Sequence, residues 1–145
     1  MVVPSAGRIV PKGYPGQDYD ELLTVAERKG VGSIGVRVLA GGALTGSEVR
    51  HPLSNQKVTP IGSGRTYAED IAWSLKFQPL IEAGHAENLP ELAVRYVISN
   101  PKLSTVEIGI ATIEELQKAT AAVNKGPLSA EVLAQIVHIQ NGFAS

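Results

Sequence analysis

Two short stretches of this chain carry residue types suited to holding an anion. In the first, Arg37 and Leu39 lead into the pair Gly41-Gly42. Glycines let a backbone approach an anion closely, backbone N–H groups bond it, and a guanidinium attracts it. The same residues equally make a plain strand-to-loop turn with a solvated or salt-bridged arginine, because glycine pairs are common in turns. Arg37 is also bulky enough to fill such a site itself. In the second stretch, Gly109, Ala111 and Thr112 precede a helical pattern that includes Glu115. N–H groups and the dipole at a helix start favour a phosphate. Thr112 and Glu115 are equally spaced as a capping box with no further role.

Other reactive types give less. His51, His85 and His138 are far apart and lack metal-ligand spacing. His85 follows Gly84 near a helix end, where a cation meets the dipole favourably. Trp73 reads as partly buried packing, and Arg28, Lys29 and Arg95 read as surface charges.

The elements that must position these residues are marked by their starts. Four segments place a side-chain acceptor three residues ahead of a Glu: Asp18/Glu21, Thr66/Glu69, Asn88/Glu91 and Thr112/Glu115. Each pair satisfies free N–H groups at a helix start. The apolar spacing predicts a first helix from about Tyr19 to Lys29, with Leu22, Leu23, Val25 and Ala26 inward and Gly30 ending it. Ser33–Leu39, β-branched and bounded by glycines, predicts a strand. Residues 47–65 are polar and proline-containing, which predicts a long loop of the kind that is often functional. A second helix is expected from about Tyr67 to Ala83, with Ile71, Ala72, Leu75, Leu80 and Ile81 inward and a kink or break at Pro79. A third runs from about Leu89 to Ser99, on Leu92, Ala93, Tyr96 and Val97. Ser104–Ile110 predicts a second strand. A helix follows from about Ile113 to Val123, with Leu116 and Ala119 inward, and a last one capped by Ser129 reaches about Gln140, with Leu133, Ile136 and Val137 inward. Arg8–Pro11 adds at most a poor third strand. Strands alternating with helices imply parallel pairing, hence an α/β fold of two or three parallel strands and about five helices.

Composition narrows the function classes. At 145 residues the chain is expected to be a single domain over 1–145. With 43% hydrophobic and 19% charged residues it is built to bury a core rather than to stay disordered. A formal charge of -1 gives no basic footprint, so no nucleic-acid partner is expected. The absence of cysteine excludes disulfides and thiolate zinc sites. No apolar run has the length of a membrane span, and residues 1–13 lack the apolar core of a signal peptide, so a soluble cytoplasmic protein is expected.

The segment Arg37-Val38-Leu39-Ala40-Gly41-Gly42-Ala43-Leu44-Thr45-Gly46 resembles the strand-seven motif of aldo-keto reductases, commonly S-P-L-A-x-G-x-L-T-G. Asn88–Pro101 resembles the helix after it, and Ser104–Leu116 resembles strand eight with the start of its helix. The three occur in family order, and the likeness runs from about residue 18 onward. It implies the C-terminal portion of a (β/α)₈ barrel, with its site at the C-terminal strand ends. Val2–Gly7 resembles the tail of strand six, so roughly four to five upstream strands are expected to be missing, as in a truncated barrel. The resemblance also implies NADP(H) binding and carbonyl reduction. Leu39, Gly41 and Gly42 match the turn that meets the cofactor pyrophosphate, with Arg37 where the family usually has Ser. Gly109, Ala111, Thr112 and Glu115 fall where the 2′-phosphate and adenine are held. Ala111 and Thr112 replace the usual basic or Ser-rich positions, Glu115 a usual Gln and Ala119 a usual Asn, so NAD(H) stays open beside NADP(H). The family's catalytic Asp, Tyr, Lys and His have no match in this chain.

Strands without neighbours expose unpaired edges. The expected partners are therefore a complementary N-terminal half-barrel chain or further copies of this one, with a small carbonyl substrate only in a completed barrel. Two functions follow: the NAD(P)H-binding part of an oxidoreductase, active only with its other half, or a non-catalytic assembly module derived from a reductase barrel.

Overall fold

A computed structural model of the chain describes residues 21–63 and 65–143. The Asp18 cap, the candidate strand at Arg8–Pro11 and the strand-six tail lie outside the described residues. Within them the order is α1 (Leu22–Arg28), β1 (Ile34–Gly35), a 3-10 turn (Ala40–Thr45), α2 (Tyr67–Leu75), α3 (Gln78–Glu82), α4 (Leu89–Ile98), β2 (Thr105–Val106), α5 (Ile113–Asn124) and α6 (Ala130–Asn141). This is an α/β arrangement in which the described residues form an open sheet of two parallel strands. No helix among the described residues is long and apolar enough to cross a membrane.

Helix starts follow local chemistry closely. Thr66 and Thr112 each form a reciprocal capping box with Glu69 and Glu115. Asn88 accepts from the Glu91 amide, and Ser129 caps α6. The single helix expected over residues 67–83 divides at Lys76–Phe77, and Pro79 then sits in the first turn of α3, where its missing donor costs nothing. The α1 start differs from expectation. Glu21 has φ 54°, a left-handed conformation that cannot continue a helix backwards, and its side chain makes no cap bond.

The strands are much shorter than Ser33–Leu39 and Ser104–Ile110. Only Ile34 with Thr105 and Gly35 with Val106 are in register. Arg37, at φ 57°, turns the chain away immediately afterwards. Among the described residues no third strand extends the ladder, and Ile34 and Val36 stay 64% and 61% exposed. Parallel strands are normally covered on both faces, and these lack the neighbours that would hold them extended.

The main core joins α2, α3, α4 and α6. Trp73 is buried and stacks on Phe143 at 4.4 Å between ring centroids, while Phe77 meets the same ring edge-on at 5.8 Å. A second cluster, Ala40, Ala43, Leu44, Ile71 and Ala93, seats the 3-10 turn on α2 and α4. A third, Val38, Val94 and Ala122, ties the strand ends to α4 and α5. Several expected inward faces are not buried. Leu22, Ala72, Leu75, Leu116 and Val137 are exposed, because periodicity gives a face but not the neighbour to cover it.

Arg95 is not a surface charge. It bonds Glu91 at 3.2 Å and the carbonyls of His85 and Gly126, each at 3.0 Å. Lys125 bonds the other Glu91 oxygen at 2.7 Å. Burial pushes the Glu91 carboxyl up, but bonds from Lys125 and Arg95 pull it further down, so it stays ionised and fastens α4 to the α5–α6 turn. Arg28 and Lys29 are exposed at the end of α1, as expected.

Candidate functional site

Because β1 and β2 run parallel, the chain leaves both at the same end of the sheet. That end carries Arg37–Gly42 after β1 and Gly109–Glu115 after β2.

The first segment has an unusual backbone. Arg37 at φ 57°, Ala40 at 50°, Gly41 at 68° and Gly42 at 104° are all left-handed. For the two non-glycine residues this costs roughly 1 kcal/mol or more each. The turn is closed by the Ala40 amide on the Arg37 carbonyl and by the Gly42 and Leu44 amides on the Leu39 carbonyl. The Leu39 side chain packs into the cluster below, so its part in the turn is structural as well as positional. Arg37 is exposed and makes no ion pair among the described residues.

Above this turn lies the expected long loop, which has no helix or strand between Gly46 and Thr66 among the described residues. Two of its side chains press onto the glycines. A Cβ on Gly42 would sit 2.6 Å from Arg50 Nη1, and one on Gly41 would sit 2.6 Å from Val58 Cγ1. Both positions call for glycine through φ, and a Cβ at either would also have to push aside a loop side chain. Arg50 Nη1 donates to the Gly41 carbonyl at 2.6 Å and to the Tyr67 hydroxyl at 2.9 Å, and Nε donates to the Asn55 carbonyl at 2.8 Å.

The far end of the loop is fixed by Asp70, which is fully buried in the first turn of α2. Its carboxylate accepts from the amides of Ile61 at 2.7 Å, Gly62 at 3.0 Å and Ser63 at 2.6 Å. Burial pushes the carboxyl up, but bonds from Gly62, Ser63 and Ile61 outweigh it and hold it below the usual carboxylate range.

The second segment is organised oppositely. Glu115 accepts from the Ala111 amide at 2.6 Å and from the Thr112 amide at 3.3 Å, and Thr112 Oγ1 accepts from the Glu115 amide at 3.1 Å. The donors that a phosphate would use at this helix start already face the chain's own carboxylate. Gly109 is exposed, and a Cβ there would meet nothing within 4 Å, so packing does not require a glycine.

Sequence reasoning placed the two segments at one end of the sheet but missed Arg50, Val58, Tyr67 and Asp70. The first two sit in an aperiodic loop, and nothing local marks their contacts. Asp70 follows a capping box that already accounts for an acidic first turn.

The model of the aldo/keto reductase family matches residues 15–141. The chain belongs to the aldo/keto reductase family. A comparison with curated proteins gives no match. Membership implies that the open α/β arrangement is a portion of the family's (β/α)₈ barrel, whose sites lie at the C-terminal strand ends. Both aldo/keto reductase segments described above lie at that end of the two described strands.

Proposed function

We propose that this chain is the nucleotide-phosphate end of an aldo/keto reductase barrel, and that it reduces a small carbonyl substrate only when a complementary N-terminal half completes the barrel. The observation that carries this reading is the Arg37–Gly42 turn, with four left-handed residues at the strand end where the fold keeps its chemistry. Arg37, Leu39, Gly41 and Gly42 would meet the pyrophosphate of NAD(P)H. Gly109, Ala111, Thr112 and Glu115 would meet its adenosine end. The Glu115 carboxylate at the α5 start supports NAD(H) over NADP(H), because a 2′-phosphate there would face a like charge.

Calorimetric titration of the chain with NADH and NADPH tests the reading. Saturable binding is expected, tighter for NADH, with carbonyl reduction appearing only on addition of an N-terminal half-barrel. No binding of either nucleotide at millimolar concentration would sink it.

The exposed faces of Ile34 and Val36 favour a second reading, a non-catalytic assembly module that associates with further copies of itself. It predicts a defined oligomer by light scattering whose mass does not change with nucleotide. A well-folded monomer would rule it out.

A further inference from the structure

We propose that Asn141 is a site of spontaneous deamidation and isomerisation, and that the seating of Phe143 in the core gates the reaction. The inference is independent of the nucleotide reading and draws on neither segment at the strand ends.

The sequence holds one Asn-Gly pair, Asn141-Gly142. Asn141 is the last residue of α6, and both members of the pair are exposed. A glycine has no Cβ to shield its backbone nitrogen from a close approach. That nitrogen, once deprotonated, attacks Cγ of the Asn141 side chain. The N–Cγ bond forms, the Cγ–Nδ2 bond breaks, and Nδ2 leaves as ammonia with the proton that the Gly142 N–H gave up. Water then opens the succinimide at one carbonyl or the other, leaving aspartate or isoaspartate at this position.

In the folded chain the attack is held back twice. Helical backbone tilts the Asn141 side chain toward the start of α6, away from the following nitrogen. The Gly142 N–H donates to the Ile139 carbonyl at 3.1 Å, and the Phe143 N–H donates to the Gln140 carbonyl at 3.1 Å. These are the tightened bonds of a last helical turn, and such ends open before the core does. Phe143 opposes that opening. Its ring is buried, stacked on Trp73 at 4.4 Å and edge-on to Phe77 at 5.8 Å, with Lys76 Nζ 5.1 Å from its centre. The reactive pair therefore joins a helix end to an aromatic anchor. Isoaspartate routes the main chain through the side-chain carbons and lengthens this joint. Either product also sets a carboxylate at the negative end of the α6 dipole. Both changes work against the seating of Phe143.

The test is incubation of the folded chain in mildly alkaline buffer, followed by mass spectrometry of the tryptic peptide 126–145, which carries Asn141. The amide-to-acid mass increase is expected at Asn141, more slowly than in a urea-denatured sample. Phe143→Ala should speed it by more than about tenfold, because truncating a buried phenylalanine strongly favours local opening. Gly142→Ala, at a φ of -70° that accepts a side chain, should slow it several-fold. Trp73 is the one tryptophan, so its fluorescence should shift as product accumulates. A folded chain that does not convert at Asn141 while the denatured sample does overturns the proposal. So does Phe143→Ala or Gly142→Ala converting at the wild-type rate. Unshifted Trp73 emission in converted chain would show that Phe143 keeps its seat, and would overturn the coupling. If circular dichroism shows Phe143→Ala unfolded, Phe143→Leu decides: faster conversion supports the gate, and the wild-type rate overturns it.

Discussion

The two segments at the C-terminal end of the strand pair deal with charge in opposite ways. At the start of α5 the donors are answered locally, by a carboxylate three residues along the same helix. At the Gly41–Gly42 turn a cation arrives from the loop that follows it, and its hydrogen-bond partners among the described residues are neutral oxygens. One place is electrostatically closed and the other open. A helix start is therefore a poor predictor of an anion site when its own first turn carries a capping glutamate. A strained turn gains that capacity only from whatever the tertiary fold lays across it.

The comparison can be broken most severely at Asp70, which holds the loop that delivers Arg50. Asp70→Ala leaves two buried amides and one part-buried amide without an acceptor and should cost about 3 kcal/mol in urea unfolding. Hydrogen exchange at Ile61, Gly62 and Ser63 should accelerate. Unchanged exchange would mean that the carboxylate does not fasten the loop. The sign of the acid dependence follows from the lowered carboxyl: its contribution is present above the unfolded-state value of 3.8 and is lost as pH falls through the lower folded-state value. Asp70→Asn should therefore flatten stability against pH below about 4.

Gly42→Ala comes next. It places a Cβ at φ 104° and against Arg50 Nη1, and should destabilise the chain by about 2 kcal/mol while displacing the guanidinium. Gly109→Ala, in open space and without a left-handed backbone, should differ from wild type by less than about 0.5 kcal/mol. Equal effects at the two glycines would erase the distinction between the segments.

The closed segment should be softer. Thr112→Ala removes one side of the capping box and should cost about 1 kcal/mol in thermal unfolding. The smallest expected effect has the opposite sign. Arg37→Gly relieves a left-handed non-glycine residue whose side chain is exposed, and should stabilise the chain by up to about 1 kcal/mol. A loss of stability there would show that the Arg37 side chain holds the turn together.

Much of the framework was legible because it is written within a few residues. Thr66/Glu69 and Thr112/Glu115 became reciprocal capping boxes, and Pro79 divided α2 from α3, because cap bonds and proline geometry depend on near neighbours in the chain. The family motifs at Arg37–Gly46, Asn88–Pro101 and Ser104–Leu116 are likewise contiguous. Strand length was not legible. Ser33–Leu39 has strand composition, yet only Ile34 and Gly35 pair, because extended backbone needs a partner along its whole length.

The sequence by itself determined the family, the helix starts and the glycine turn, each set by residues a few positions apart. Tertiary structure alone decided that the half-buried Arg95 bonds the His85 and Gly126 carbonyls and that Asp70 grips Ile61–Ser63. It also decided that Arg50 lies over Gly42. These are contacts between groups that only folding brings together, and the worth of a charge depends on which groups surround it once water has been removed.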